Sequence, residues 1–160
     1  MLRFPDRFLA SAIFAAVLIA GNASLASAQT VPTGILLAAN TEMDGYAKGN
    51  LAEFLRPFIA QPLLIDDASP FFMQGCSAVR TWFLTTRPSL GKVTLQHDPA
   101  TDFGVQGTSA YAAFPFTITV ANQYGRYIGH GVWTGVFVQE DNGLWKIRSL
   151  TIALLSFAPA

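Results

Sequence analysis

Cysteine, histidine and charge are all in short supply in this chain. Its one cysteine, Cys76, excludes an intrachain disulfide and a metal site built on thiolates. Two readings of it stay open: an intermolecular bridge in an oxidising compartment, or a small buried filler at the start of a helix. The only histidines, His97 and His130, have no partner at metal-ligand spacing, so the sequence asks for no metal and no other cofactor. Charged residues are 12% of the total, ten basic against ten acidic. Without a cluster of Lys and Arg there is no footprint for nucleic acid or for an anionic membrane surface. The apolar run at residues 8–20 is shorter than the ~20 residues a membrane-spanning helix needs. No internal repeat, low-complexity tract or sharp catalytic motif is present.

What the first residues do carry is an export address. Arg3 and Arg7 precede the apolar run, and Ala26-Ser27-Ala28 supplies a small-x-small cleavage pattern. Residues 1–28 are therefore expected to be a cleaved signal peptide, with cleavage after Ala28 and a mature chain that begins at Gln29. The protein is then exported, periplasmic or secreted, with no membrane attachment after cleavage. The remaining 29–160 form one domain of ordinary size, with eight basic and nine acidic residues and a formal charge of −1. A domain this apolar must hide surface in a cavity, a subunit interface, or both.

The mature half nearer the N-terminus reads as helical. Apolar Ile35, Leu36, Ala39, Met43 and Tyr46 keep near-helical spacing over residues 34–47, and Gly49 ends that helix. Asn50 with Glu53 three residues later forms a capping box for a second helix, which Pro57 stops near Arg56. A short strand at residues 63–65 delivers Asp66-Asp67 into a Pro-bounded loop. Residues 77–86 are a third helix with Val79, Trp82 and Phe83 on one face. A strand at 93–96 and a polar connection over 98–109 follow. The last fifty residues are three half-buried strands, 111–120, 127–138 and 144–155. They are joined by Asn122-Gln123-Tyr124-Gly125 and Glu140-Asp141-Asn142-Gly143, both hairpin chemistry.

This order, and the signatures Ala47-Lys48-Gly49-Asn50-Leu51, Ile65-Asp66-Asp67, Gly75 with Ala78-Val79-Arg80-Thr81-Trp82-Phe83, and Asn142-Gly143-Leu144-Trp145-Lys146-Ile147, resemble the nuclear transport factor 2-like superfamily. That superfamily includes ketosteroid isomerases and SnoaL-like polyketide cyclases, and the likeness covers about residues 34–155. It implies an α+β fold in which a curved antiparallel sheet forms a cone with N-terminal helices packed on its concave face. It also implies that Asp66 falls where ketosteroid isomerases keep the carboxylate that moves a proton at a substrate carbon. Two positions depart from those enzymes: Glu42 stands where they place a hydrogen-bonding Tyr, and Thr134 stands near their oxyanion-stabilising Asp.

Strand alternation offers a lining for the cone independently of the resemblance. With Thr134 inward, period two puts His130, Val132 and Val136 on the same face and turns Trp133 and Phe137 outward. Phe114 and Phe116 on the preceding strand face the helices, and Glu42, Tyr46 and Trp82 complete the ligand-binding set. Asp66, His130 and Thr134 are the candidate catalytic residues, Asp66 foremost, because desolvation raises a carboxyl's pKa and makes it a better proton carrier near neutral pH. A turn-capping role is the plainer reading for one of Asp66 and Asp67. His97, next to Asp98-Pro99, reads as solvated. On the last strand the polar register turns apolar halfway, which calls for a bulge near Ser149 or for cover on both faces. An outward strip of Trp133, Phe137, Leu150, Ile152 and Leu154 points to a sheet-to-sheet homodimer. The function expected is binding of a small apolar molecule, with proton-transfer chemistry of the isomerase, cyclase or dehydratase kind. The competing expectation is a non-catalytic dimerisation or adaptor module whose cone is filled by its own side chains.

Overall fold

The computed structural model of the chain describes residues 30–67 and 70–160; the expected signal peptide, residues 1–28, lies outside them. Helix α1 (Thr33–Lys48) buries Ile35, Ala38, Ala39, Glu42 and Met43 at three- and four-residue spacing. It ends at Gly49, whose φ of 69° suits a residue without a Cβ. Helix α2 (Leu51–Leu55) starts as anticipated, with Asn50 Oδ1 accepting from the Glu53 amide at 3.2 Å. The two helices cross at Gly45, where a Cβ would lie 2.2 Å from the Phe54 nitrogen.

Strand β1 (Phe58–Asp66) is longer than expected. A short β2 (Phe72–Gln74) leads into helix α3 (Gly75–Thr86) and a 3-10 turn (Arg87–Leu90). Strands β3 (Lys92–His97), β4 (Asp102–Gln106), β5 (Ser109–Asn122), β6 (Gly125–Gln139) and β7 (Trp145–Pro159) complete the chain. They make one curved, unclosed sheet in the order β2-β1-β7-β6-β5-β3, with β4 also paired to β5. All neighbours are antiparallel except β1 and β7. The helices lie on the concave side, so the fold is the α+β cone expected. The region read as a polar connection over 98–109 contains β4, hairpinned to β5 through Gly107 at a φ of 58°.

The facing of β6 is the reverse of the expectation. Its buried residues are Gly129, Gly131, Trp133, Gly135 and Phe137, while His130, Val132, Thr134 and Val136 lie on the convex side. The reason is space on the inside of a bend. A Cβ on Gly131 would meet the Ala153 carbonyl at 2.4 Å and the Phe116 ring at 2.7 Å, so glycine alternates with large rings there. Register agrees, because Phe114 pairs with Trp133 and directly opposed residues share a face.

Strand β7 carries the bulge that its sequence called for. Phe137 pairs with Ile147 but Val136 with Ser149, so Arg148 is an extra residue and the faces swap there. A second shift, between His130 and Gly131, makes Leu155 extra and returns Phe157 to the inside. Ile147, Leu150, Ile152, Leu154 and Phe157 thus all face the helices. The strip Trp133, Phe137, Leu150, Ile152 and Leu154 is accordingly interior, not an outward dimer surface. Trp133, Phe137 and Leu150 are buried outright, at 2%, 0% and 0% exposure.

Candidate functional site

Between α1, α3 and the concave face of the sheet lies a cavity of about 450 Å³. Helix α1 presents Glu42 and, one turn later, Tyr46 to it. Glu42 is 2% exposed, and the indole Nε1 of Trp133 donates a 2.8 Å hydrogen bond to its Oε2. Burial pushes the Glu42 carboxyl up to about 8, and the Trp133 hydrogen bond only partly offsets this. Near neutral pH Glu42 is therefore mostly a neutral acid that accepts from Trp133 and keeps an O–H to give.

Tyr46 stacks on Trp82, ring centroids 5.7 Å apart and planes 21° apart, and packs edge-on against Phe83. Burial raises its phenol well above the ordinary value; the Asp66 charge adds to the rise, while Arg87 opposes it. Arg87 holds this corner together. Its guanidinium donates to the main-chain carbonyls of Tyr46, Ala47 and Gly91 and lies 5.8 Å from the centre of the Tyr46 ring. The last turn of α1 is thus tied to the chain ahead of β3, with the cation committed to carbonyls.

Asp66, the last residue of β1, reaches the cavity beside Asp67. Its amide donates to the Phe71 carbonyl at 3.2 Å, and its backbone pairs with Ile152. Asp67 serves the architecture, because its Oδ2 accepts from the Leu154 amide at 2.7 Å, next to the second bulge of β7. Apolar walls come from Phe116, Ile118 and Val120 of β5 and from Ile152 and Leu154 of β7. Among the described residues, no Lys or Arg lines the cavity, and no group of three or more His, Cys, Asp or Glu is placed to hold a metal ion.

Of the residues singled out from the sequence, the fold brings together Glu42, Tyr46, Asp66, Trp82 and Phe116 around this cavity. Phe114 is fully buried but does not line it, sitting between Trp133 and His97 at ring distances of 5.7 and 5.2 Å. His130, Thr134, Val132 and Val136 lie on the opposite side of the sheet. His130 is exposed there, its Nδ1 3.1 Å from the Thr117 hydroxyl. His97 is held by Asn40 Oδ1 at 2.6 Å and by the Asp98 carbonyl. Missed from the sequence were Trp133, as the partner of Glu42, and the hydroxyls of Thr85, Thr86 and Ser89 on the α3 side. The Phe114–Trp133 pairing is the signal that finds Trp133, since an inward Phe114 requires an inward Trp133.

A cone of curved sheet, covered by helices and enclosing an apolar cavity with one buried acid group, defines a class of pocket-bearing α+β domains. The chain adopts the nuclear transport factor 2-like fold. It is similar to a nuclear transport factor 2-like superfamily protein from Salmonella enterica serovar Typhimurium, at 21% identity over 80% of this chain and 90% of that one, with a TM-score of 0.67. A hexachlorocyclohexane dehydrochlorinase from Novosphingobium barchaimii superposes at a TM-score of 0.72, with 11% identity, 80% of this chain and 88% of that chain. A ketosteroid isomerase-like protein from Erwinia carotovora atroseptica does so at 0.67, with 11% identity, 78% of this chain and 95% of that one. At such identities the likeness concerns the fold. No protein-family model matches the sequence, and no curated protein matches it either.

Proposed function

We propose that the chain takes up a small, apolar, carbonyl-bearing compound in the cone and moves a proton on it. Asp66 supplies the carboxylate that removes a proton from the carbon next to the carbonyl. Glu42 supplies the O–H that meets the oxygen as charge develops on it. Return of the proton to another carbon gives an isomerase, and expulsion of a leaving group from the neighbouring carbon gives a dehydratase or related lyase. One observation carries this reading: Glu42 and Asp66 line one apolar cavity, and Glu42 is buried on the Trp133 indole with its carboxyl pushed up to about 8. Paired carboxyls in unlike environments are how a site divides acid and base work. The departure noted at Thr134 loses its force here, because Glu42 is available as the oxyanion donor. The solved dehydrochlorinase and ketosteroid isomerase-like neighbours are named for chemistry of this general kind.

The second reading, a non-catalytic adaptor with a filled cone, is disfavoured by the 450 Å³ of open space. A homodimer through the sheet remains our proposal, but on its convex face. Val132, Thr134, Val136 and the ring of Tyr111 make an uncharged centre there, with the Asp102 carboxylate at its edge on the Tyr111 hydroxyl; Tyr111 and Val136 are 41% and 38% exposed. Export after cleavage behind Ala28 is likewise proposed from the sequence.

Deuterium exchange next to the carbonyl of tetralone, followed by NMR, tests the chemistry without knowledge of the natural substrate. Asp66→Asn should slow exchange on the order of 10²-fold or more, the usual scale of general acid–base catalysis. Asp67→Asn should leave exchange alone and lower stability by about 1 kcal/mol, through its bond to Leu154. Equal behaviour of the two variants, or no exchange above background with the wild-type protein, would put the adaptor reading in front.

A further inference from the structure

At one place the cavity owes its width to a side chain that is missing. Leu95, Ile118, Gly129 and Phe157 are paired in one row across β3, β5, β6 and β7, and directly opposed residues share a face. Leu95, Ile118 and Phe157 all line the cavity; Gly129 is the gap in the row. A Cβ there would lie 2.9 Å from the Phe157 ring, 3.0 Å from a methyl of Ile118 and 3.0 Å from a methyl of Leu154, a further wall residue. All three distances fall below the 3.5–4.0 Å of an ordinary carbon contact. Gly131 differs, because its nearest obstacle is the Ala153 carbonyl, a main-chain group that cannot turn aside. At Gly129 the obstacles are the ends of three side chains, and the open space beside all three is the cavity.

Phe157 ends the row. It lines the cavity and is nevertheless 48% exposed, so its ring stands where the cavity meets the surface. The ring is held in that place. The bulge at Leu155 turns it inward, and Tyr127 stacks on it, centroids 5.4 Å and planes 8° apart. The Tyr127 hydroxyl in turn donates to the Tyr124 carbonyl at 3.3 Å. Glu42, at 2% exposure, marks a deeper level of the same cavity. The volume of about 450 Å³ falls in the lower half of the roughly 300–1,000 Å³ usual for small-molecule sites.

We infer that Gly129 and Phe157 are the specificity-determining residues that set the size of the ligand. Phe157 is the outer stop against which its apolar body ends, and Gly129 keeps the wall behind that stop wide enough to admit it. The compound is a compact one of about two fused rings, not an extended polycycle. This rests on the cavity being a ligand site, as proposed above, and adds the size class of the compound and the two positions that fix it.

Tetralone and tetrahydrophenanthrenone, the same ketone with a third fused ring, test this on the full protein, with affinities read by intrinsic fluorescence. The quantity followed is the affinity of the three-ring ketone relative to the two-ring one. Phe157→Ala should raise that ratio roughly 10-fold over wild type, because the larger compound gains the vacated space. Gly129→Ala should lower it roughly 10-fold, because Ile118, Leu154 and Phe157 are pushed into the cavity. The two substitutions thus act in opposite directions, which general loosening of the fold would not produce. Phe157 lies outside the buried core, so its variant carries the test if Gly129→Ala does not fold. If tetralone binds but Phe157→Ala leaves the ratio unchanged, or a folded Gly129→Ala fails to lower it, the inference is overturned with the cavity reading intact. If neither ketone binds any of the three proteins, the cavity reading falls and the inference falls with it.

Discussion

Replacing Glu42 with Gln gives the sharpest test of the buried acid. Between the ordinary Glu value of 4.5 and about 8, the native chain holds a proton on Glu42 that the unfolded chain has released. The native state then binds more protons than the unfolded state, so this group makes stability fall as pH rises, by about 1.4 kcal/mol per pH unit. The effect is absent well below the unfolded value, accumulates through the interval and levels off above about pH 8. Its full size is at most about 5 kcal/mol, an upper figure because local relaxation and water entry reduce it. The amide of Glu42→Gln keeps an acceptor for Trp133 and cannot ionise. The two proteins should therefore differ by no more than about 1 kcal/mol near pH 5, while the variant should be the more stable by several kcal/mol near pH 9. Urea titrations at each pH read the difference directly, as a midpoint shift on the order of 1–2 M at the alkaline end. Every other side chain is common to the two proteins, so its contribution cancels in the comparison. Parallel profiles from pH 5 to pH 9 would mean that Glu42 is ionised and solvated in the native state, and the assignment of a neutral acid donor would be lost.

Two further outcomes follow from the sheet. Gly131→Ala should destabilise by roughly 2 kcal/mol or more in thermal or urea unfolding, because the new methyl meets the Ala153 carbonyl at 2.4 Å and the Phe116 ring at 2.7 Å; a change under about 0.5 kcal/mol would contradict the close approach of β6 and β7 there. Light scattering at micromolar concentration should report a dimer that Val136→Lys converts to monomer without loss of fold; a wild-type monomer would refute the convex-face interface.

The helical joint was legible because its determinants are local. Gly49, Asn50 and Glu53 act on backbone groups within a few residues, so their types and spacing suffice. The hairpins of β5 to β7 were legible for the same reason. The facing of β6 was not, because that strand offers two plausible inner registers, one of valine and threonine and one of glycine and rings. Preference for β-branched residues selects the first, while the curvature of the sheet requires the second. Only the pairing of Phe114 with Trp133 decides, and that relation joins two strands. Strands β2 and β4, of three and five residues, lack the alternation that would reveal them. Glu42 was legible as a candidate ligand-binding residue but its pairing was not, since its partner Trp133 lies 91 residues away. The place of Asp66 at the end of a strand was legible locally and its candidacy came from the resemblance; the fold puts it on the cavity wall.

The parallel contact between β1 and β7 has a consequence for how the protein comes into being. Strand β1 leaves the ribosome early, yet along one edge it has only the three residues of β2, and along the other it waits for the last strand of the chain. Pairings so distant in sequence form late, since the intervening loop must be closed before any contact compensates. Asp66 is anchored by Ile152, and Asp67 by Leu154, both in that final strand. During synthesis the carboxyls therefore stay unassembled until the C-terminal residues emerge, and the pocket is among the last parts of the molecule to exist.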